Sequence, residues 1–185
     1  LLDVATEFVK SLGAKNGIIL FVGTKPEARE ATKNAALSLN MPYVTERWIG
    51  GTLSNFTEIK KRINELENYR KDSAGGGLDK YTKKERVVLA KKMDKLSRYY
   101  FGLIGLKKTP DALFITDART EHIAATEAIK GNVPVISLVN SDSNIKDIDY
   151  PIIGNDSGIP SIKFFIASIA NAYKTGQNSV PVGKA

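Results

Sequence analysis

Two stretches of the chain repeat one order of signals, and that repetition limits the fold more than any other feature. In the first, Gly17–Val22 (GIILFV) is a short unbroken apolar run, the pattern of a strand buried on both faces of a parallel sheet. A helix should follow to about Leu39, with Thr24 and Glu27 as its capping box and Ala28, Ala31, Ala35 and Leu39 along one face. Asn40-Met41-Pro42 breaks that helix, and Tyr43-Val44 starts an extended segment. In the second stretch Asp111–Asp117 (DALFITD) matches the first strand and Thr120 caps a helix through about Lys130. Gly131-Asn132-Val133-Pro134 then leads into Val135–Val139. Two such βαβ units predict an α/β fold: a parallel sheet with helices on both faces, flavodoxin-like or Rossmann-like. Ahead of them Leu1, Val4, Phe8 and Leu12 recur at helical spacing, with Gly13 as the stop. After them come Ile152-Ile153, the polar turn Gly154-Asn155-Asp156-Ser157 and a helix carrying Ile162, Phe165, Ile166, Ile169 and Tyr173.

Between the two units the pattern changes. Leu53, Phe56, Ile59, Ile63 and Leu66 step by three or four residues, as do Leu89, Met93, Leu96, Tyr100 and Leu103, and Ser73–Gly77 (SAGGG) separates the series. The expectation is an inserted antiparallel two-helix coiled-coil hairpin over residues 53–104. The globular α/β domain would comprise 1–52 and 105–175, and 176–185 a flexible tail. Arms of about 18 residues would reach roughly 27 Å, so the hairpin is expected to project.

Charge follows the same division. Glu58–Arg98 holds 13 Lys and Arg against 7 Asp and Glu, while the whole chain is +7. Tyr69, Tyr81, Tyr99 and Tyr100 interleave with these cations. Lys and Arg on phosphates, with aromatic stacking on exposed bases, would use that arrangement; a merely solvated helical face would not need the imbalance. The root of the hairpin is Glu46–Phe56 (ERWIGGTLSNF). Here Trp48, Gly50, Gly51 and Phe56 read as structural anchors, Thr52 as the cap of the first long helix, and Arg47 as free to face outward.

Other chemistry has less support. The chain has no cysteine and one histidine, so it lacks a thiolate nucleophile and the ligands of a usual zinc site; no metal or cofactor is expected. No apolar run nears the roughly 18 residues of a membrane span. Lys25, in Gly23-Thr24-Lys25-Pro26, sits where α/β proteins bind phosphates, but neither G-x-G-x-x-G nor G-x-x-x-x-G-K-[ST] is present. Asp117, Glu121 and His122 offer acid–base groups without a partner motif such as G-x-S-x-G. A nucleotide-binding or acid–base α/β enzyme using Lys25, Asp117 and His122 is one alternative, and a protein-only adaptor with a coiled-coil arm is another.

Six motifs run nearly the length of the chain. They are Arg47–Phe56 (RWIGGTLSNF), Thr82-Lys83-Lys84-Glu85, Pro110–Asp117 (PDALFITD), Glu121-His122-Ile123-Ala124 with Glu127-Ala128, Val133-Pro134-Val135, and Ile153-Gly154-Asn155-Asp156. In that order they resemble the bacterial-type small-subunit ribosomal protein two (S-two) family. The resemblance implies a non-enzymatic structural constituent of the small ribosomal subunit in translation, monomeric within the ribosome. Its implied partners are small-subunit ribosomal RNA and neighbouring small-subunit ribosomal proteins, including the largest one. Its implied place is the cytoplasm or an organellar ribosome. The resemblance also implies an amino-terminal portion ahead of Leu1, with H-F-G-H and W-N-P-K-M type segments and a strand. On the combined reading the RNA-binding residues are Arg47, Lys60, Lys61, Arg62, Lys80, Lys83, Lys84, Arg86, Lys91 and Lys92.

Overall fold

Side chains alternate in direction along a strand, and in this chain both directions are apolar. The computed structural model describes residues 1–146 and 148–179, without the side chains of 79 and 80. Its strands are β1 (Ile19–Val22), β2 (Tyr43–Val44), β3 (Ala112–Ile115), β4 (Val135–Val139) and β5 (Tyr150–Ile153). All neighbours pair in parallel, in the order β2-β1-β3-β4-β5. Every residue of β1, β3 and β4 is buried. Leu20, Val22, Leu113 and Ile115 serve one apolar cluster, while Ile19, Phe21, Phe114 and Ile136 serve the other. The unbroken apolar runs are therefore the mark of a sheet covered twice.

The helices α1 (Leu2–Ala14), α2 (Pro26–Ser38) and α6 (Ile159–Ser179) cover the second face. The first is covered by α5 (His122–Lys130) and by apolar residues of α3 (Phe56–Ala74) and α4 (Lys83–Tyr100). The doubly covered parallel α/β fold is thus the one the repeated units predict.

Three helix-to-strand turns share one stereochemistry. Asn16, Asn40 and Asn132 have φ of 51°, 53° and 52°. In each case the next N–H bonds a carbonyl five residues back: Gly17 to Leu12, Met41 to Ala36 and Val133 to Ala128, all at 2.9 Å. This is a Schellman closure with asparagine in the left-handed position that glycine usually takes. The repeated Asn-x-Pro order is its trace in two of the three turns. It also corrects the reading of Gly13, which lies buried inside α1 rather than stopping it. A Cβ at Gly13 would strike the carbonyl oxygen of Tyr173, and one at Gly176 that of Lys10, so this glycine pair lets the backbones of α1 and α6 approach. The α1 stripe also shifts by one position: Ala5 and Val9 are buried, while Leu1 and Val4 face outward. Because α6 continues through Ser179, residues 176–179 are helical, and the remainder of the expected tail, 180–185, lies outside the described residues.

Three threonines expected as helix caps do other work. The Thr24 hydroxyl donates to Glu121, Thr52 to the Ile49 carbonyl (2.6 Å) and Thr120 to Asp117 (2.5 Å). No side-chain cap closes α2, α3 or α5. The capping box is at α4 instead, where Glu85 N–H donates to Thr82 Oγ1 (3.4 Å) and Thr82 N–H to Glu85 (2.9 Å).

Ile59, Ile63 and Leu66 of α3 share a cluster with Met93 and Tyr100 of α4, and this seam is continuous with the apolar layer on the sheet. The Arg70 guanidinium lies 5.1 Å from the centre of the Phe101 ring. Were Phe56 and Phe101 level in a straight side-by-side pair, Arg70 would sit about 21 Å along the axis, beyond an arginine's reach. The two helices are therefore offset or crossed. Their outer parts, 71–76 and 81–88, are exposed.

Candidate nucleic-acid interface

The root of the helical pair is organised by a carboxylate far away in sequence. Glu127, on the buried side of α5, accepts the N–H of Gly51 (2.7 Å), Leu53 (3.1 Å) and Ser54 (3.3 Å), and the Trp48 indole N–H at 3.4 Å. A turn that winds toward a helix leaves consecutive N–H groups unpaired, and one carboxylate satisfies three of them here. Burial by itself would push this carboxyl up; the donors outweigh it and hold the group below the ordinary carboxylate range. Gly51 adopts φ 92°, open to glycine at little cost, whereas Gly50 is exposed and has room for a Cβ. Trp48 is 6% exposed and packs in the sheet-side core, with Phe56 half-buried at its margin. Nothing local in the sequence marks Glu127 for this role.

From that root the cations fan out in two groups. Arg47, Lys60, Lys83, Lys84 and Lys91 are exposed, with no ion pair or hydrogen bond from their side chains among the described residues. Others are engaged: Lys61 with Glu58 (2.6 Å), Arg62 with Glu65 (3.3 Å) and Lys92 with Glu65 across the pair. The Lys92 hydrogen bond first, against burial and with Arg62 adding to it, holds Glu65 below its ordinary range. Arg86 donates from Nε to the Tyr81 carbonyl (3.0 Å), and the Lys80 side chain lies outside the described residues. Lys83 and Lys84 occupy the first turn of α4, where the helix dipole disfavours cations and attracts anions. Helix stability gives no reason for two cations there, where the Glu85 carboxylate of the capping box already complements the dipole.

The rival site lies at the switch point between β1 and β3, where open parallel sheets bind ligands. Here the protein's own groups face one another. Lys25 Nζ is 2.5 Å from Asp117 and 3.5 Å from Asp156, and Asp117 also accepts the N–H of Arg119 (2.8 Å) and Thr120 (3.2 Å). Burial works against ionised Asp117, but Lys25 and Thr120 more than offset it and lower its pKa; the same pairing raises that of Lys25 against its own burial. Glu121 is buried against the N–H (3.1 Å) and hydroxyl of Thr24. The His122 ring is exposed, with Nδ1 3.2 Å from the Arg119 carbonyl. Asp117, Glu121 and His122 thus have separate partners and do not converge on a proton path. A cleft of about 520 Å³ opens here, but Asp117, Asp142 and Asp156 line it against Lys25 and Arg119, an unfavourable balance for a phosphate.

These features define a class: a doubly covered parallel α/β protein whose excess positive charge rides on an inserted basic helical pair, rooted by one buried carboxylate. A family model described as Ribosomal protein S2 matches residues 1–176, and the chain belongs to that family. The chain is 42% identical over 180 residues to "Small ribosomal subunit protein uS2" of Bifidobacterium animalis subsp. lactis (strain AD011), covering 95% of this chain and 58% of the relative. It is 41% identical over 179 residues to the protein of that name from Corynebacterium jeikeium (strain K411), covering 96% and 65%. The chain spans about three fifths of the length of the curated relatives it matches.

Proposed function

We propose that this chain is a structural, non-enzymatic constituent of the small ribosomal subunit, acting in translation by binding small-subunit ribosomal RNA and neighbouring ribosomal proteins. The observation that carries this reading is the family match across residues 1–176, with relatives named as small ribosomal subunit protein uS2. Residues 53–104 act as the inserted basic element, and 1–52 with 105–175 as the globular scaffold. Arg47, Lys60, Lys83, Lys84 and Lys91 make the first phosphate contacts, because no internal partner has to be released. Lys61, Arg62, Lys80, Arg86 and Lys92 complete the surface. Trp48, Gly51 and Phe56 hold its root. The largest small-subunit protein is among the partners, and the subunit is cytoplasmic. No helix among the described residues is long and apolar enough to cross a membrane.

The test is incorporation into small subunits stripped of their own copy. Deleting the helical pair is a poor control, since Ile59, Leu66 and Met93 belong to the core. Replacing Lys60, Lys83, Lys84 and Lys91 with Gln removes charge from exposed positions alone. Saturable one-to-one incorporation by the parent chain, weakened in the quadruple variant, is the expected result. Failure of the folded parent chain to incorporate overturns the reading.

A further inference from the structure

One surface of α4 does not suit RNA. A groove of about 370 Å³ runs beside the helix, lined by Tyr81, Lys84, Glu85, Val88, Leu89 and Lys92. Val88 is 64% exposed and Tyr81 37%, and Val87, 53% exposed, lies alongside. Positions 84, 85, 88 and 92 fall at helical spacing on α4, and Tyr81, on extended backbone just before that helix, closes the groove at its N-terminal end. Its floor is aliphatic and aromatic; on its edges Lys84 is open, Lys92 is paired with Glu65, and Glu85 is held in the capping box. Valine offers a base neither a π face nor a hydrogen bond, so phosphate or base recognition gives no reason to leave these side chains in water.

We propose that this groove is a docking site for a protein partner, an amphipathic helix with an aliphatic stripe edged by Asp and Glu. The charge selects the occupant. α4 carries seven Lys and Arg against two carboxylates, and Glu85 is already engaged in the capping box at its N-terminus. Lys84 flanks the groove without an internal partner, with Lys83 and Lys91 nearby. A second copy of this chain, itself +7, would bring like charge to the same edges. Helix-in-groove recognition supplies the complement: apolar anchors at three- and four-residue spacing enter the groove while flanking carboxylates meet the lysines. The basic helical pair would thus take phosphates on Arg47 and Lys60 and, at Lys83, Lys84 and Lys91, either phosphate or the carboxylates of a helix seated on the Tyr81–Val88–Leu89 stripe. The site is independent of the ribosomal reading and is tested without a ribosome.

The full chain is titrated into a fluorescent 18-residue designed peptide with a leucine stripe flanked by glutamates. The same peptide with lysines for glutamates, an RNA hairpin and phosphatidylglycerol vesicles serve as comparisons. Val88→Asp and Lys84→Glu alter the groove at exposed positions, and circular dichroism checks that the fold is kept. The expected outcome is saturable binding of the acidic peptide, at least tenfold tighter than the lysine version. It should weaken at least tenfold in Val88→Asp and severalfold in Lys84→Glu, while RNA binding by Val88→Asp changes less than twofold. Equal affinity for the two peptides, or indifference of the acidic peptide to Val88→Asp, overturns the proposal. So does a tenfold loss of RNA or vesicle binding in Val88→Asp, which would assign the groove to that ligand instead.

Discussion

Two glutamates on or beside one helix sit on opposite sides of the ordinary carboxylate pKa, for reasons visible in their donors. Glu127 receives three backbone N–H groups and an indole; Glu121 is buried with only the Thr24 donors, near the charge of Asp117. Burial, with a smaller push from Asp117, raises Glu121 despite those donors, while the donors win at Glu127. The signs follow. A depressed folded pKa gives stability that is complete above the unfolded value of about 4.3 and is lost as pH falls through the folded value. A raised one gives a contribution present below the unfolded value and lost as pH rises through the folded one. Glu127→Gln should therefore cost about 2 kcal/mol at neutral pH, with the deficit shrinking in acid. Glu121→Gln should gain roughly 1 kcal/mol at neutral pH, with the advantage vanishing toward about pH 4. Urea unfolding of the three proteins from about pH 3 to 8 reads both slopes.

At the scale of elements, the decisive contacts are close approaches and end closures. Gly13→Ala or Gly176→Ala would place a methyl group against a backbone carbonyl across the α1–α6 contact, and each should cost about 2 to 3 kcal/mol. Thermal unfolding measures it. Thr82→Ala should cost about 1 kcal/mol and show first as faster amide exchange in the opening turn of α4. The elements themselves were legible: apolar runs marked β1, β3 and β4, and the Asn-x-Pro order marked two of the three helix exits. The third, at Asn16, lacks the proline and was hidden behind Gly13. Thr24, Thr52 and Thr120 misled because another acceptor claims each hydroxyl: a carboxylate brought close by the fold at Thr24, and a carbonyl or carboxylate three residues back at Thr52 and Thr120. At Thr82-Lys83-Lys84-Glu85 the hydroxyl also donates to a carboxylate, but that carboxylate is the Glu85 of the box itself, so the signature is kept. The cationic segment was readable from how charge is distributed along the chain; which cations are open was not, since Lys61, Arg62 and Lys92 pair through geometry that counts of charge do not contain.

For the whole molecule, charge placement makes salt the natural probe. Each phosphate neutralised contributes roughly 0.7 to 0.9 to the slope of log affinity against log salt. Replacing Lys60, Lys83, Lys84 and Lys91 with Gln should flatten that slope for small-subunit RNA by about 2.8 to 3.6 if each meets one phosphate, and an unchanged slope would remove those residues from the interface. Arg47→Gln should flatten it by a little under 1 and leave the melting temperature alone, because the side chain is exposed without a partner. The carboxylate at the root has one more consequence, and it concerns time. Gly51 and its acceptor Glu127 are 76 residues apart. At about 5 to 20 residues per second, the chain emerging from synthesis spends on the order of 4 to 15 seconds with the root turn made and its acceptor not yet present. For that interval the root turn lacks its acceptor, and the apolar seam of the nascent basic helices has only Leu20 and Val22 of β1 and Val44 of β2 on the sheet side to join until β3 follows.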